Sequence, residues 1–337
     1  MATTSCTIGG YAGERSDRRA APQERFRLSG VTMETAQMVN KWILGARPRT
    51  LGAAVVPVVV GTAVTLTDRR WLGAVDWANF VLALCVAIAV QVGTNFANDY
   101  SDGVRGTDSS RVGPVRLVAS GLATPSQVRT AALGSFLVAG LAGLVLAVRV
   151  SLWLIPLGAV CLLAGWGYTG GPRPYGYVGL GEFFVFVFFG LVATAGSAFV
   201  QTETVTLDAV VAGVPVGALA AALLVANNLR DIESDAWASK RTLAVRLGER
   251  NTRLLYAVLV VFGVVFAGLV GTASGRWGTL SVFIALPWAI EAVRFVAPRD
   301  SRRRSAADWI PLLGATARLH LAVGLLLALG LAATPHR

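Results

Sequence analysis

Two acidic stretches stand out in a chain in which only 15% of the residues are charged. The first, NFANDYSDGVRGTD, runs from Asn95 to Asp108, and the second, NNLRDIESDAWASKRTL, begins at Asn227. In each stretch an Asn precedes an Asp by four residues: Asn95 precedes Asp99, and Asn227 precedes Asp231. Residues at this spacing project from one face of a helix, so each stretch predicts a polar stripe at a helix end.

The chemistry that such stripes support is the binding of a hard metal ion. Further carboxylates follow at Asp102 and Asp235, and four carboxylates held close together cannot all stay ionised without a cation. Carboxylate and amide oxygens suit Mg²⁺, which usually binds through one or two carboxylates, several waters and the phosphate oxygens of a substrate. The pattern therefore predicts a Mg²⁺ site and a phosphate-bearing substrate.

Basic residues near the two stretches fit that phosphate. They precede the first predicted helix or follow the second, fourth and sixth: Arg47, Arg105, Arg111, Arg116, Arg173, Lys240 and Arg241. Lys240 is notable because the chain has only one other lysine, Lys41, and a lysine ammonium is a compact point charge. The alternative role of Lys240 and Arg241 is to anchor a helix end at the membrane surface.

The elements that carry these residues are predicted to be membrane helices. Of the 337 residues 54% are hydrophobic, and the mean hydropathy is +0.60, which is typical of membrane proteins. Nine apolar runs are long enough to approach the length of a bilayer core, and none alternates like a barrel strand. They lie near residues 50–66, 77–97, 128–148, 151–169, 183–201, 208–228, 253–272, 277–296 and 315–333. We therefore predict an all-α integral membrane protein with about nine transmembrane helices.

The net charge of +11 reports membrane orientation rather than nucleic-acid binding. If the N-terminus is cytoplasmic, 24 of the 30 Lys and Arg residues lie on the cytoplasmic side. Five lie on the other side, and Arg318 lies at a helix edge. This asymmetry is the one that orients membrane proteins, so we predict a cytoplasmic (inner) membrane protein whose N-terminus and acidic stretches face the cytoplasm.

The N-terminal residues 1–40 differ in composition from the rest of the chain. They are polar, rich in Arg, Ser and Gly, and lack the apolar core of a signal peptide. We predict a disordered extension over 1–40 and a polytopic membrane domain over 41–337, with Met1 and Met33 both open as start sites. Cys6, Cys85 and Cys161 are widely separated and predict neither a disulfide nor a zinc site.

The acidic stretches also suggest an internal repeat. The offset is 132 residues both from Asn95 to Asn227 and from Asp99 to Asp231, and four predicted helices separate the two stretches. An even number of helices gives both copies the same membrane orientation. We predict two four-helix pseudo-repeats around a central cavity, followed by a ninth helix, with the site where the halves meet.

These motifs resemble those of the UbiA superfamily of intramembrane prenyltransferases, in which Asp-rich motifs follow the second and sixth of eight or nine helices. Their forms are most similar to the 1,4-dihydroxy-2-naphthoate prenyltransferase branch of menaquinone synthesis. Further matches are ARPRTL, RVGPVRLVASG, GYTGGPRPYGYVGLGE and LHLAVGLLLALGLA. Together the matches span about residues 42–333, and such a series of long motifs is far more specific than one short pattern.

The resemblance implies a reaction and a set of residues. Mg²⁺ would be held by the catalytic aspartates Asp99, Asp102, Asp231 and Asp235, with Asn95 and Asn227 in support. A polyprenyl diphosphate would be neutralised by Arg47, Arg116, Arg173 and Lys240, and Tyr168 would contact the substrate. The prenyl group would pass to a naphthoate at its carboxyl-bearing carbon, with loss of CO₂. One of the aspartates could remove the ring hydroxyl proton, without the sequence indicating which.

Ser239 departs from this pattern, because the branch typically has Gly before the Lys. Several other residues have two interpretations. Tyr175 and Tyr177 fit either an interfacial aromatic belt or a site for the allylic cation, and Asp108 fits either a mobile lid or a solvated loop. Glu182 is interpreted as a favourable charge at a helix N-terminus, and His320 as a polar contact within the bundle.

Two alternative functions follow from the same residues. A prenyltransferase of this superfamily could instead use 4-hydroxybenzoate, homogentisate, haem or a phosphoribosyl sugar as acceptor, because the acidic pair is common to all of them. An ion-coupled transporter is more remote, since its carboxylates are expected near the bilayer midplane rather than at helix ends.

Overall fold

The computed structural model describes residues 41–66, 75–108, 113–297 and 304–334, and the regular structure within these ranges is entirely helical. The predicted extension over residues 1–40 lies outside the described residues, as does Arg111. The description that follows concerns the unit from Asn40 to Arg337.

Nine helical segments, labelled α1 to α9, follow one another along the described chain. The first, α1, is a bent pair, Lys41–Thr50 and Gly52–Val64, with 50° between its halves. The others are α2 Trp77–Arg105, α3 Pro125–Arg149, α4 Leu154–Gly167, α5 Gly181–Thr202, α6 Leu207–Trp237, α7 Leu243–Leu269, α8 Trp277–Val296 and α9 Ala306–Ala333.

The number of membrane spans agrees only in part with the sequence prediction. Among the described residues, seven helices are long and apolar enough to cross a membrane, or eight if the bent α1 is one span. The exception is α4, whose 14 residues reach about 21 Å at 1.5 Å per residue, short of a hydrocarbon core of about 30 Å. The chain is thus an all-helical protein with seven or eight apolar spans, and nine spans are not confirmed.

The helices that carry the acidic stretches are longer than predicted. We expected α2 to end near residue 97 and α6 near 228, but they end at Arg105 and Trp237. The apolar pattern stops at those positions while the backbone hydrogen bonds continue, because the polar side chains of the last turns find partners in neighbouring segments. Gly103 lies within α2, and Gly106, which adopts a left-handed φ of 72°, caps its end.

The start of α7 also differs from the sequence prediction, by about ten residues. The helix begins at Leu243 rather than near 253, and the Thr242 side chain caps it by accepting a hydrogen bond from the Val245 amide. A break at Gly248, where φ is 74°, separates this polar first part from the apolar remainder. The apolar pattern predicts only the second part, because the first carries charged residues.

Close contact between α5 and α6 depends on glycine. A Cβ atom on Gly217 would lie 2.7 Å from the Phe186 carbonyl oxygen, and one on Gly190 would lie 2.5 Å from the Gly217 Cα. At this crossing α5 widens into a π-helical turn, Phe186–Val192, a feature often found at functional sites. The prediction that the small-residue run from Gly217 permits close helix packing is therefore confirmed.

The sixth helix lies at the centre of the bundle. Most of its apolar stretch is buried within the protein, and it packs against α5, α7, α9 and α1. The end of α6 that carries Asp231 and Asp235 meets the corresponding end of α2. At the other end, Arg149 forms an ion pair of 3.1 Å with Asp76, and Asn79 donates to the Val200 carbonyl. The two ends of the bundle are therefore fastened by different polar groups.

Candidate active site

The acidic stretches of α2 and α6 meet at a single lysine. The Nζ of Lys240 lies 3.5 Å from Oδ2 of Asp102 and 3.8 Å from Oδ1 of Asp235. All three residues are buried. Lys240 follows α6 in a tight turn in which its amide donates to the Asp235 carbonyl. Residues 133 positions apart in sequence thus share one ammonium group, and they form one site at this end of the bundle.

Ser239 shapes the turn that directs Lys240 toward the carboxylates. Its φ is 56°, in the left-handed region where a non-glycine residue is uncommon. The branch described above typically has Gly at this position, which adopts such a φ without a steric cost. Ser in place of Gly at position 239 keeps the turn conformation. The steric cost of the left-handed φ then falls on the residue directly before Lys240.

Asp99 is completely buried and fastens the loop that follows α2. Its Oδ2 accepts a hydrogen bond of 2.7 Å from the Leu117 amide, and its Oδ1 accepts one of 3.1 Å from the Val118 amide. The same loop approaches α2 so closely that a Cβ on Gly103 would lie 2.5 Å from Val118. This contact requires Gly103 within the helix, and it brings the neighbouring Arg116 to the site.

Arg116 connects two carboxylates of the first stretch. Its Nε lies 3.4 Å from Oδ2 of Asp108, and its Nη2 lies 4.0 Å from Oδ2 of Asp102. Nη1 is buried with no hydrogen-bond partner in the described part of the chain. Asp108 is 7% exposed, so the interpretation of its side chain as a solvated loop charge is wrong for this conformation. Arg116 is thus placed to donate to an anion between the stretches.

Asp231 is paired with a residue that the sequence analysis did not select. The guanidinium of Arg230 donates to both carboxylate oxygens of Asp231, over 2.6 and 2.7 Å. Both residues are buried, and Nη1 of Arg230 has no partner among the described residues. The opposite loop is close, since a Cβ on Gly113 would lie 3.1 Å from that Nη1. Only its position next to Asp231 in sequence could have indicated Arg230.

Asn95 supports the site indirectly, through the bend of α1. Its amide nitrogen donates to the Ala46 carbonyl over 2.9 Å and to the Thr50 hydroxyl over 3.1 Å. These bonds span Arg47, whose φ is 54°, in the segment just before the 50° bend of α1. Nε and Nη2 of Arg47 are buried without hydrogen-bond partners in the described ranges. The bend therefore holds a guanidinium with donors available to an anion.

Asn227 and Arg173 make fewer contacts than the other predicted residues. Asn227 is half-buried, and Arg173 is exposed. The described residues offer neither of them a side-chain hydrogen bond or an ion pair. The structure brings Asp102 and Asp235 together at Lys240 and places Arg116 beside Asp102 and Asp108, and it leaves Arg173 exposed in the loop between α4 and α5.

The tyrosines after α4 differ in their environments. The Tyr177 hydroxyl donates to Oδ1 of Asp102 over 2.7 Å, and its ring lies 5.0 Å from both the Arg105 guanidinium and the Lys240 ammonium. Burial, and secondarily the charge of Asp102, raises the pKa of Tyr177 to about 12. These contacts favour a place for Tyr177 in the candidate site over a role in an interfacial aromatic belt.

Tyr175 and Tyr168 lie deeper in the same region. The Tyr175 hydroxyl donates to the Ala164 carbonyl, and its ring stacks on Phe184 at 4.1 Å between centroids. Tyr168 contacts the start of α5, where a Cβ on Gly181 would lie 3.6 Å from its hydroxyl oxygen. Its ring lies 5.5 Å from that of Tyr175 between centroids, so Tyr168 lies between Tyr175 and the start of α5.

Glu182 has a more specific environment than a helix N-terminus alone provides. It lies in the first turn of α5, as expected, but it is only 7% exposed. Its Oε1 accepts a hydrogen bond of 2.8 Å from the Asn228 amide of α6. Its Oε2 is buried without a hydrogen-bond partner among the described residues. From the sequence, Glu182 is interpreted only as a favourable charge at a helix N-terminus, and its contact with Asn228 is visible only in the structure.

The donor set of the site suits a divalent cation bound together with an anion. In the described residues no group of three or more His, Cys, Asp or Glu side chains is arranged to hold a metal. The nearest carboxylates face protein cations instead, as Asp102 and Asp235 face Lys240. Mg²⁺ needs only one or two carboxylates when waters and phosphate oxygens complete its shell, so carboxylates from α2 and α6 fit such an ion without a protein cage.

Comparison with known proteins agrees with this geometry. Residues 54–313 match the UbiA prenyltransferase family. The chain belongs to this family. Family membership makes it a prenyltransferase and a multi-pass membrane protein, and the resemblance seen in the sequence motifs is confirmed.

Two relatives can be aligned with more than four fifths of this chain. A 1,4-dihydroxy-2-naphthoate octaprenyltransferase from Mycobacterium tuberculosis is 48% identical over 281 residues, which are 81% of this chain and 90% of that protein. The protein of the same name from Escherichia coli is 34% identical over 310 residues, covering 89% and 98% of the two chains.

Solved structures of the family share the fold. A UbiA homolog from Archaeoglobus fulgidus bound to DMAPP and Mg²⁺ aligns over 86% of this chain and 99% of its own, with a TM-score of 0.59 and 14% identity. A digeranylgeranylglyceryl phosphate synthase aligns over 87% and 98%, with a TM-score of 0.53 and 14% identity. At such identities the likeness concerns the fold alone.

Proposed function

We propose that this enzyme transfers a polyprenyl group from its diphosphate to 1,4-dihydroxy-2-naphthoate, with Mg²⁺ as cofactor and with loss of CO₂. The observation that carries the proposal is the meeting of Asp102 and Asp235 at Lys240. It creates one site with carboxylates for a metal and cations for a diphosphate. The names of relatives at 48% and 34% identity support the naphthoate acceptor.

The diphosphate is proposed to bind between the loop after α2 and the turn after α6. Nη1 of Arg116, Nη1 of Arg230, and Nε and Nη2 of Arg47 are buried donors without partners among the described residues. A buried donor without a partner costs free energy, so these groups are arranged for an anion that is not part of the protein. Arg173 is assigned to the entrance of the same site.

Mg²⁺ held by Asp99, Asp102, Asp231 and Asp235 would supply Lewis-acid stabilisation of the charge that develops on the departing diphosphate. The arginines and Lys240 add preorganised positive charge, which stabilises the same transition state without reorganisation. The allylic C–O bond breaks, and its electron pair leaves with the diphosphate. Asn95 keeps Arg47 at the bend of α1, and Asn227 completes the polar stripe of α6.

The allylic carbon then meets the aromatic acceptor away from water. Tyr168 lies beside the start of α5 and beside Tyr175, and its ring face can stabilise the cationic carbon. The carboxyl-bearing ring carbon forms the new C–C bond, and CO₂ departs while its bonding pair restores the aromatic ring. An apolar helical bundle suits this reaction because water would capture the cation.

For the membrane arrangement we propose nine spans. One of them is α4, which crosses the membrane together with the turns on either side of it. Two four-helix pseudo-repeats surround the cavity, and α9 follows them. The excess of basic residues at this end supports a cytoplasmic active site in the cell inner membrane. Residues 41–337 are proposed to carry the whole reaction.

The experiment that tests the function is mass spectrometry of products from purified protein in detergent with Mg²⁺ and a long prenyl diphosphate. The acceptors 1,4-dihydroxy-2-naphthoate, 4-hydroxybenzoate and homogentisate are supplied together. We expect a prenylated naphthol that lacks the carboxylate carbon. A different prenylated acceptor would contradict the naphthoate assignment, and the absence of product from every acceptor would contradict the proposed reaction.

A further inference from the structure

Glu182 is a buried carboxylate that the diphosphate site does not use. One oxygen accepts a hydrogen bond from Asn228, and the other, Oε2, is buried with no hydrogen-bond partner in the described part of the chain. An unsatisfied buried carboxylate oxygen is destabilising. The contact with Asn228 does not require a carboxylate, because the side-chain carbonyl of a glutamine would accept the same hydrogen bond. The second oxygen therefore indicates a ligand with a hydrogen to donate.

The depth of Glu182 suggests which ligand this is. Its partner Asn228 precedes Asp231 by three residues and Asp235 by seven along α6, which is about 4.5 and 10.5 Å along the helix axis at 1.5 Å per residue. Glu182 thus lies about one helical turn farther into the bundle than the carboxylates assigned to the diphosphate. The prenyl carbon bonded to the diphosphate points in that direction, because the chain it begins is apolar.

Tyr168 lies at the level of Glu182. Its hydroxyl oxygen would lie 3.6 Å from a Cβ on Gly181, the first residue of α5 and the neighbour of Glu182. An acceptor ring that meets the allylic carbon here would have its ring hydroxyl within reach of Tyr168 and Glu182. Tyr175 also packs against Tyr168, with 5.5 Å between ring centroids, but its hydroxyl donates to the Ala164 carbonyl.

The aspartates are less suited to proton removal, because their oxygens already accept strong hydrogen bonds or face cations. Asp99 accepts two backbone amides, Asp231 binds Arg230 through both oxygens, and Asp102 accepts the Tyr177 hydroxyl. A carboxylate stabilised by such donors is a weaker base. Glu182 accepts a side-chain hydrogen bond from Asn228 and faces no protein cation among the ion pairs of the described residues.

On the basis of the proposed function, we infer that Oε2 of Glu182 is the general base that removes the proton of the acceptor's ring hydroxyl. The oxygen's electrons move into the ring, the carboxyl-bearing carbon bonds to the allylic carbon, and the C–O electron pair leaves with the diphosphate. Loss of CO₂ returns its bonding pair to the ring and regenerates the aryloxide. Glu182 then gives the proton back, so protons and charge balance over the cycle.

The test compares Glu182→Gln and Glu182→Asp with Glu203→Gln, an exposed control that immediately follows the other end of α5. Glutamine retains the acceptor oxygen for Asn228, so the fold is preserved. For each variant we measure kcat and KM for both substrates, the pH profile, and binding of the prenyl diphosphate with Mg²⁺ by calorimetry.

We expect Glu182→Gln to lower kcat by about 10²- to 10⁴-fold, the usual range for a general base, while diphosphate binding changes less than about twofold. Its residual activity should rise about tenfold per pH unit, as the ionised acceptor becomes more abundant. Glu182→Asp should retain intermediate activity with the pH profile of the unmodified enzyme, and Glu203→Gln should resemble that enzyme throughout.

Two results would overturn the assignment. One is Glu182→Gln with normal kcat and an unchanged pH profile. The other is loss of both turnover and diphosphate binding without recovery at high pH, which would give Glu182 a structural role. An unmodified enzyme that prenylates no acceptor would instead contradict the proposed function, and the inference would fall with it.

Discussion

The ammonium of Lys240 lies between Asp102 of the first acidic stretch and Asp235 of the second, 3.5 Å from one carboxylate and 3.8 Å from the other. This relationship joins α2 to the end of α6. It also places a positive charge where a divalent cation and a diphosphate would meet, so Lys240 both neutralises the carboxylates and offers a donor to phosphate.

Replacing Lys240 with methionine should raise KM for the prenyl diphosphate about tenfold or more, because one charge-assisted contact to phosphate is lost. Arg241→Met is the matched control: Arg241 is the next residue and basic, but exposed. Steady-state kinetics at saturating naphthoate measure the effect. Equal changes in both variants would show that Lys240 acts only as a membrane anchor.

Removing the charge of Asp99 or Asp231 should nearly abolish turnover. Asp99→Asn and Asp231→Asn are each expected to lower kcat at least about a hundredfold, since each removes preorganised charge from the metal and diphosphate site. Asp208→Asn, at the opposite end of α6, controls for general effects. Size-exclusion chromatography checks that the variants remain folded, and near-normal activity in either acidic variant would contradict the two-stretch metal site.

Chelation tests the metal separately from the side chains. Activity should disappear in EDTA and return when Mg²⁺ is added in excess, because the diphosphate needs the cation as a Lewis acid. Binding of the prenyl diphosphate, followed by calorimetry, should weaken in parallel. Full activity in the chelator would mean that protein cations alone stabilise the leaving group.

The N-terminal residues should be dispensable for catalysis. Deleting residues 1–32 leaves Met33 as the first residue and retains all site residues named above. We expect kcat and KM within about twofold of the full chain, since such polar segments rarely contribute to a buried site. A truncated protein that is folded but inactive would assign a function to this segment.

The far end of the bundle has a pH-dependent contact. The Asn79 amide, and to a smaller extent Arg149, lowers the pKa of Asp76 at the start of α2. A carboxyl group whose pKa is lowered by folding stabilises the protein above its unfolded pKa, and this contribution is lost as the pH falls through the folded value. Asp76→Ala should therefore lower the melting temperature at pH 6, with a smaller difference at pH 3. A difference that persists unchanged at pH 3 would contradict this origin.

The amino-acid sequence by itself determined the class of fold and the family. Long apolar runs must become helices in a bilayer, because every backbone amide needs a partner within its own segment. The acidic stretches, their spacing and the basic residues near them predict Asp99, Asp102, Asp231, Asp235 and Lys240 as site residues, and the structure brings three of them, Asp102, Asp235 and Lys240, together. These inferences depend on local periodicity and on residue chemistry, which sequence displays directly.

The tertiary structure decided which groups face one another. Glu182 lies outside both acidic stretches, so only the packing of α5 on α6 brings it to Asn228, and only the fold shows that Arg230 pairs with Asp231 and lies beside the loop after α2. The ends of α2 and α6 differ from the sequence prediction for a related reason. A polar last turn is stabilised by partners from other segments, and the apolar pattern of the helix does not show them. Buried donors and acceptors are satisfied by residues distant in sequence, and this long-range pairing cannot be obtained from periodicity.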